Sequence, residues 1–401
     1  MPPVRPSVTI LCQNFVPETN AAARRITDLA HHLAASGWAV EVVTQAPHHP
    51  QNRVFDGYGQ HYREAERGEH LDVVRFRPWI VPKDRFVLRI LSEMLFTVQA
   101  TAHAATRRRD LVIASSPFMF LGPGGLLAAR LARARFAWDV RDLTWLYLAA
   151  TGRRTYGVDR LIDRLMRFTA RRADVLTTAT DGLLAHFGAR PSRSDVIPNG
   201  LSPALAAQLR DSVQRRASAN TPHVMYAGLL GFPQGLAVLL DVAERMPDVA
   251  FSLVGDGPER PTLMADAQSR GLDNVSFPGY VPGNELGAWY GAADVLVAHL
   301  RRAPAFTMAQ PSKLWEYMAT GRPVVYGGEG EAVTILTECS IGTAVPPESP
   351  DAMAAAIRRL LDNPAEAARL GACGRDFVAE HRDRDRLVER WGAMLRDAVG
   401  G

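Results

Sequence analysis

At 401 residues the chain has room for two or three domains and for cores that need no covalent staple. Its 47% hydrophobic and 22% charged residues are those of an ordinary globular protein, and no apolar run approaches the roughly 20 residues of a membrane span. The net charge of +4 divides unevenly: residues 1–200 carry 27 Lys and Arg against 18 Asp and Glu, a net +9, and the rest nets −5. A basic half on an acidic half suits an anionic partner, and nucleic acid, phosphate groups and an anionic membrane all stay open at this point. Cys12, Cys339 and Cys373 give neither a disulfide framework nor metal-ligand spacing, so the expected compartment is reduced and cytosolic.

The first apolar run, VTIL, is too short for a signal-peptide core and reads as a buried strand. SVTILCQNF, the amphipathic AARRITDLAHHLAASG and WAVEVVTQ then form a βαβ unit, with Gly37 placed as a helix C-cap glycine. Asn20 and Arg24 open that helix just past strand one, where an acceptor or a phosphate would lie; an exposed helix arginine is the other reading of Arg24. His48 and His49 in QAPHHP have no carboxylate or cysteine at ligand spacing and read as cleft lining or solvent, so no metal site is expected.

Further strands are expected at LDVVRFR, DLVIASS, RFAWDVRD and DVLTTAT, which together describe a parallel sheet covered by helices. Residues 86–106 make a largely apolar helix ending in Arg107-Arg108-Arg109, and residues 153–172 add seven arginines with Tyr and Phe between them. This basic amphipathic surface suits peripheral contact with the inner face of an anionic membrane; a core helix with solvated flanks is the alternative.

After VIPNG and the polar run LAAQLRDSVQRRASAN, a second alternating series begins at Val224 with VMYAG, VAFSLVG, VSFPGY, DVLVAHL, PVVYGG and TAVPP. The expected domains are 1–200, 201–380, and a last helix over 381–401 that could return to the first. Two doubly wound domains in series imply a ligand cleft between them, at the carboxyl ends of the strands.

Glycines follow the strand ends of the second domain: Gly228, Gly231 and Gly235 in YAGLLGFPQG, and Gly255 and Gly257 in SLVGDGPER. Such loops bring backbone N–H groups to an anion, and they are also common plain turns. PSKLWEYMATG says more. Pro311 suits a helix start, Ser312 and Lys313 would stand at its positive end, and Glu316 follows on nearly the same face. A cation and a hydroxyl would meet a phosphate, and the carboxylate a sugar diol. An exposed Lys–Glu helix pair is the plainer reading, yet 44 of the 46 basic residues are arginine and only Lys83 and Lys313 are lysine. A solvent pair would tolerate arginine; a compact ammonium acting on phosphate as a point charge is less replaceable.

YAGLLGFPQGL, SLVGDGPER, FPGYVPGNEL, PSKLWEYMATGRPVV and GGEGE, in this order, resemble family 4 of the retaining GT-B glycosyltransferases. NFVPETNAAARRITDLAHHLAASGWAVEVVT, SSPFMFLG, DVRDLTW and VIPNG resemble its bacterial O-antigen and capsule branch, which includes N-acetylfucosamine transferases. The resemblance spans nearly the whole chain. It implies α/β GT-B architecture, two Rossmann-like doubly wound domains facing across a cleft, with the nucleotide-sugar held mainly by the second. It implies that Glu316, the second glutamate of E-x7-E, binds ribose hydroxyls. Ser312 and Lys313 would contact the diphosphate, a backbone group at Val281 the base, and Gly328, Glu329 and Gly330 the donor sugar and phosphates, beside the glycines Gly228, Gly231 and Gly255.

Three departures stand out. The first glutamate of the motif is Met308, the usual Arg and Lys of the G-R-x4-K-G loop are Leu229 and Gln234, and the usual catalytic-region histidine is Arg141, followed by Asp142. Lys313 is then the principal cation expected on the diphosphate. The implied reaction is metal-free front-face transfer from a UDP-sugar, or a GDP-sugar, to a lipid-linked or polymeric saccharide. Arg141 and Asp142 are expected to serve catalysis or acceptor binding, or to form a buried ion pair. A small-molecule acceptor, as in antibiotic assembly, and a degenerate binder without turnover remain open. A sugar-nucleotide epimerase lacks the E-x7-E remnant, and no aromatic platform or groove-reading motif supports a nucleic-acid partner.

Overall fold

The computed structural model describes residues 5–49, 52–82, 85–146, 157–188, 190–213 and 221–400. Lys83, Arg153 and Arg154 lie outside them, as does the end of the polar run at 214–220. The chain divides into two compact units. Unit 1 is Met1–Asn199 with Asp385–Gly401, and unit 2 is Gly200–Arg384.

Unit 1 is built on an eight-stranded sheet. Its strands are β1 Ser7–Leu11, β2 Ala39–Gln45, β3 Arg63–Glu66, β4 Leu71–Phe76, β5 Leu111–Ser115, β6 Arg135–Val140, β7 Val175–Thr178 and β8 Ser194–Val196, in the order β3-β4-β2-β1-β5-β6-β7-β8. All pairings are parallel except β3 on β4. The interior strands are apolar runs because helices cover both faces. The helices are α1 Ala21–Ala35, α2 Phe86–Ala105, α3 Leu121–Ala132, α4 Val158–Arg172 and α5 Asp181–His186. At the end of α1, Ser36 is the C-cap and Gly37 follows at φ +85°, as the sequence position suggested.

Unit 2 has α6 Pro203–Val213, then six parallel strands: β9 His223–Ala227, β10 Ala250–Val254, β11 Val275–Gly279, β12 Val295–His299, β13 Val324–Gly327 and β14 Thr343–Val345, in the order β11-β10-β9-β12-β13-β14. Between and after them run α7 Ala237–Arg245, α8 Arg260–Ser269, α9 Gly283–Ala292, α10 Ser312–Ala319, α11 Glu331–Glu338, α12 Pro350–Asp362 and α13 Pro364–His381. The strand order reverses between β9 and β12, and a crevice opens there in folds of this type.

The last helix, α14 Arg384–Gly400, belongs to unit 1. Its Leu387, Val388, Trp391, Leu395 and Ala398 share a core with Val8, Ile10, Leu29 and Leu33 of β1 and α1. A separate core in unit 2 centres on Tyr226, Leu239, Leu253 and Val325.

Candidate active site

In unit 2 most of the expected donor residues stand at the carboxyl ends of β9 and β13 and the start of α10, while Gly255 follows β10 and Val281 follows β11. Pro311 caps α10 with extended backbone and Ser312 is its first helical residue. A helix start leaves first-turn N–H groups without intrahelical carbonyls and carries partial positive charge. Lys313 turns back from this start to the end of β9. Its Nζ stands 3.9 Å from the centre of the Tyr226 ring and donates to the Tyr226 hydroxyl. That hydroxyl in turn donates to the Leu229 carbonyl at 2.7 Å.

Lys313 keeps part of its surface exposed, but its ammonium is walled by protein. Burial therefore lowers its pKa from 10.5 to about 7, against the opposing pull of Glu316. The Lys313 ammonium thus packs on the Tyr226 ring, unlike a solvent-exposed Lys–Glu pair.

Gly228 makes room for it. At φ +146° an added Cβ would stand 2.6 Å from Lys313 Nζ and 3.1 Å from its Cε. Gly255 serves differently: a Cβ there would strike the Gly228 carbonyl, so this glycine lets two loops pack backbone to backbone. Gly231 begins the short 3₁₀ turn Phe232–Gln234. Gly231 and Gly255 thus serve the geometry of their loops, and Gly228 lies against Lys313.

Glu316 accepts a hydrogen bond from the Tyr290 hydroxyl at 3.2 Å, and Tyr290 packs edge-on against Tyr317. Tyr317 donates to the Ala227 carbonyl and accepts from the Ala227 N–H, fixing α10 to β9. Gly328, Glu329 and Gly330 form the β13–α11 loop. The Gly328 N–H donates to the Val345 carbonyl at 3.1 Å, and Glu329 faces Arg302 at 3.4 Å. Gly330 caps α11, and Glu331 ties this loop to the 307–310 segment through Thr307 O at 2.8 Å and Gln310 Nε2 at 2.6 Å. Met308, in the place of the first glutamate, lies in that segment. Val281 sits half-buried between β11 and α9.

Sequence reasoning passed over four residues here. Tyr226 reads as one more strand residue, and its partner is 87 positions away. Tyr290 is likewise hidden inside a helix. His299, at the end of β12, donates from Nδ1 to the Gln234 carbonyl at 2.7 Å and accepts at Nε2 from the Glu348 N–H at 2.9 Å. Burial holds its pKa below 6.5, so it is a neutral spacer between loops. Tyr326 Oη and Gln234 Oε1 are buried beside these loops without hydrogen-bond partners. Tyr226, His299 and Tyr326 stand at the ends of apolar strands, and only the fold brings them to these loops.

In unit 1 Asn20 caps α1, its Oδ1 accepting from Ala23 N–H at 2.8 Å, and Arg24 is partly exposed one turn on. The next residue is the buried one. Arg25 makes a two-point contact with Asp139 at 2.7 and 3.2 Å, donates to the Ile197 carbonyl at 2.7 Å, and lies 4.6 Å over Trp391. Ser115 and Thr177 complete the Asp139 carboxylate. Arg25–Asp139 is thus a hydrogen-bonded ion pair inside the fold. Arg141 and Asp142 stand just past β6, with Arg141 Nε and Asp142 Oδ1 buried and without hydrogen-bond partners. Burial raises the Asp142 carboxyl to about 6 despite Arg141, and lowers the Arg141 guanidinium. Glu93 of α2 is pushed up to about 7 by burial and by the charge of Asp142. These carboxyls can hold or release a proton near neutrality. Among the described residues no group of three or more His, Cys, Asp and Glu could hold a metal ion.

Two family models match the chain: a glycosyl transferase 4-like domain over residues 20–200 and glycosyl transferases group 1 over 221–363. The chain belongs to glycosyltransferase family 4. This family 4 enzyme is 27% identical to WcaI of Escherichia coli K12, named for glycosyl transfer in colanic acid biosynthesis, over 94% of this chain and 97% of that one. It is 26% identical to the 2-deoxystreptamine glucosyltransferase of Streptomyces kanamyceticus, over 55% and 59% of the two chains. The crystal structure of Anabaena HepE in complex with UDP and glucose superposes with a TM-score of 0.71 at 19% identity, covering 97% of this chain and 99% of that one. The fold is the GT-B type, as the sequence resemblance implied.

Proposed function

We propose that this glycosyltransferase moves a sugar from a nucleotide-diphosphate donor to a lipid-linked or polymeric saccharide, with retention at the anomeric carbon. The observation that carries this reading is Lys313, a desolvated ammonium held against Tyr226 at a helix start, with Gly228 open beside it. In this reading Ser312 and Lys313 take the diphosphate, Glu316 the ribose hydroxyls, the backbone at Val281 the base, and the loop Gly328–Gly330 the transferred sugar. Leu229 and Gln234 bring no charge, so Lys313 and the positive end of α10 neutralise the leaving group without a metal or other cofactor.

As the bond between the anomeric carbon and the diphosphate oxygen breaks, negative charge grows on that oxygen, where the ammonium stabilises it. The acceptor oxygen bonds to the same carbon from the same face, and its proton passes to the departing diphosphate oxygen. Arg141, Asp142, Asn20 and Arg24 lie on the acceptor-binding unit in this reading. The likeness to WcaI supports a polysaccharide acceptor, and in this reading the donor is a UDP-sugar, with a GDP-sugar as the alternative. A small-molecule acceptor is the second reading, favoured by the likeness to the 2-deoxystreptamine enzyme.

Melting temperatures with UDP, GDP, dTDP and ADP, in EDTA, test the donor site. A ligand bound only by the folded chain must raise the melting temperature by mass action. One nucleotide doing so, with the matching sugar donor then consumed in the presence of an acceptor, supports the proposal. No shift with any of them refutes it, and binding without turnover leaves a degenerate donor-binding protein.

A further inference from the structure

Among the described residues, the three helices on one face of the unit 1 sheet leave an apolar surface uncovered. α3 packs against both α2 and α4, and they follow β4, β5 and β6 as the chain crosses the sheet in one direction. Of the 18 large apolar side chains exposed among the described residues, 11 lie on these helices, so the exposure is concentrated rather than scattered. On α2 they are Val87, Leu91, Met94, Leu95 and Val98, a single stripe at helical spacing. On α3 they are Leu127 and Leu131, one turn apart. On α4 they are Val158, Leu161, Leu165 and Phe168, with Leu161 67% exposed. The opposite sides of the same helices, Phe96, Ala100, Ala128, Met166 and Ala170, are buried.

The charge on this face is net positive. The three helices with flanking Arg85 and Arg133 hold nine arginines against Glu93, Asp159 and Asp163, a net +6. Arg167 is paired with Asp163 at 2.7 Å, and Arg172 lies 5.0 Å over the exposed Phe168 ring. No helix of the described residues is long and apolar enough to cross a membrane. The exposed aliphatic groups can therefore enter only the boundary of a bilayer, while arginine stems reach outward to headgroups.

We propose that α2, α3 and α4 form a docking face for an anionic lipid bilayer. Charge decides among the possible occupants. A second copy of this chain would bring two faces of +6 together, and a neutral bilayer would leave the arginines without counter-charge. Each basic residue near an anionic surface strengthens binding about fivefold, and the apolar stripe adds affinity that salt does not screen. The proposal concerns a surface that takes no part in donor binding and stands or falls apart from the transferase reading.

The test is flotation of the purified full chain, without nucleotide, on vesicles of phosphatidylcholine alone and of phosphatidylcholine with an equal amount of phosphatidylglycerol. Binding to the anionic vesicles is expected to exceed that to neutral ones at least tenfold and to weaken in 0.5 M salt. Leu161→Ser, which keeps the charge, and Arg164→Glu, which keeps the apolar stripe, are each expected to lower binding at least fivefold. Both positions are exposed, so the fold is retained. Equal binding to both vesicle types, no binding to either, or wild-type binding by both variants overturns the proposal. So does a dimer in sedimentation velocity that Leu161→Ser dissociates, since a second copy would then cover the face.

Discussion

Replacing Lys313 by methionine separates what this residue costs the fold from what it gives the site. Burial takes the ammonium from 10.5 to about 7. At about 1.4 kcal/mol per pKa unit, that is roughly 5 kcal/mol of disfavour for the charged form. The partly exposed stem and the lost contact with the Tyr226 face reduce the net gain expected of methionine to roughly 2 kcal/mol. The unfolded lysine holds its proton up to about 10.5 and the folded one only to about 7. Between these values the unfolded chain binds more protons, so stability rises with pH, and the full penalty applies below about 7. Lys313→Met should therefore raise the melting temperature without ligand at pH 6.5 by about 4–8 °C for a unit of this size. The advantage should shrink toward pH 10. The same variant should lose the stabilisation given by the nucleoside diphosphate, with affinity down at least thirtyfold, about 2 kcal/mol. Scanning fluorimetry from pH 6.5 to 10, with and without the nucleotide identified as ligand, reads both effects. A lower melting temperature for the variant at pH 6.5, or an unchanged nucleotide shift, would refute the reasoning.

Three further outcomes follow from the geometry. Gly228→Ala places a methyl 2.6 Å from Lys313 Nζ at φ +146°, so donor affinity should fall at least tenfold in calorimetric titration, while Gly271→Ala, with no atom within 4 Å of its added Cβ, leaves affinity unchanged. Asp139→Asn strands the buried Arg25 guanidinium and should cost about 3–5 kcal/mol in urea denaturation. His299 is neutral in the fold with a depressed pKa, so stability is expected to fall as pH drops from 6.5 through its folded pKa, an acid loss that His299→Gln should flatten in melting curves from pH 7 to 5.

The sheets were legible because parallel strands covered on both faces must be short apolar runs, and each of the central strands appears where such a run stands in the sequence. β3, REAE, and β8, SDV, escaped notice since they are edge strands with polar residues and no such pattern. Lys313 and Glu316 were legible through rarity and helical spacing. Tyr226 was not, because a hydroxyl at the end of an apolar strand leaves no pattern, and only the fold brings it to a lysine on another element. The choice between Arg24 and Arg25 shows the same limit at short range. Adjacent helix residues point about 100° apart, and which one meets Asp139 depends on how α1 lies on β6, a fact of tertiary packing.

α14 closes the core of unit 1, with Trp391 beneath Arg25 and Leu395 fully buried. A chain emerging from the ribosome amino end first thus has all of Gly200–Arg384 synthesised before unit 1 receives its last wall. The second unit can fold on its own schedule, while the first waits with an apolar groove over β1 and α1 open to water. During that interval the groove is a place for a chaperone to hold, and a ribosome stalled near residue 380 would release a chain with one finished unit and one that cannot be completed.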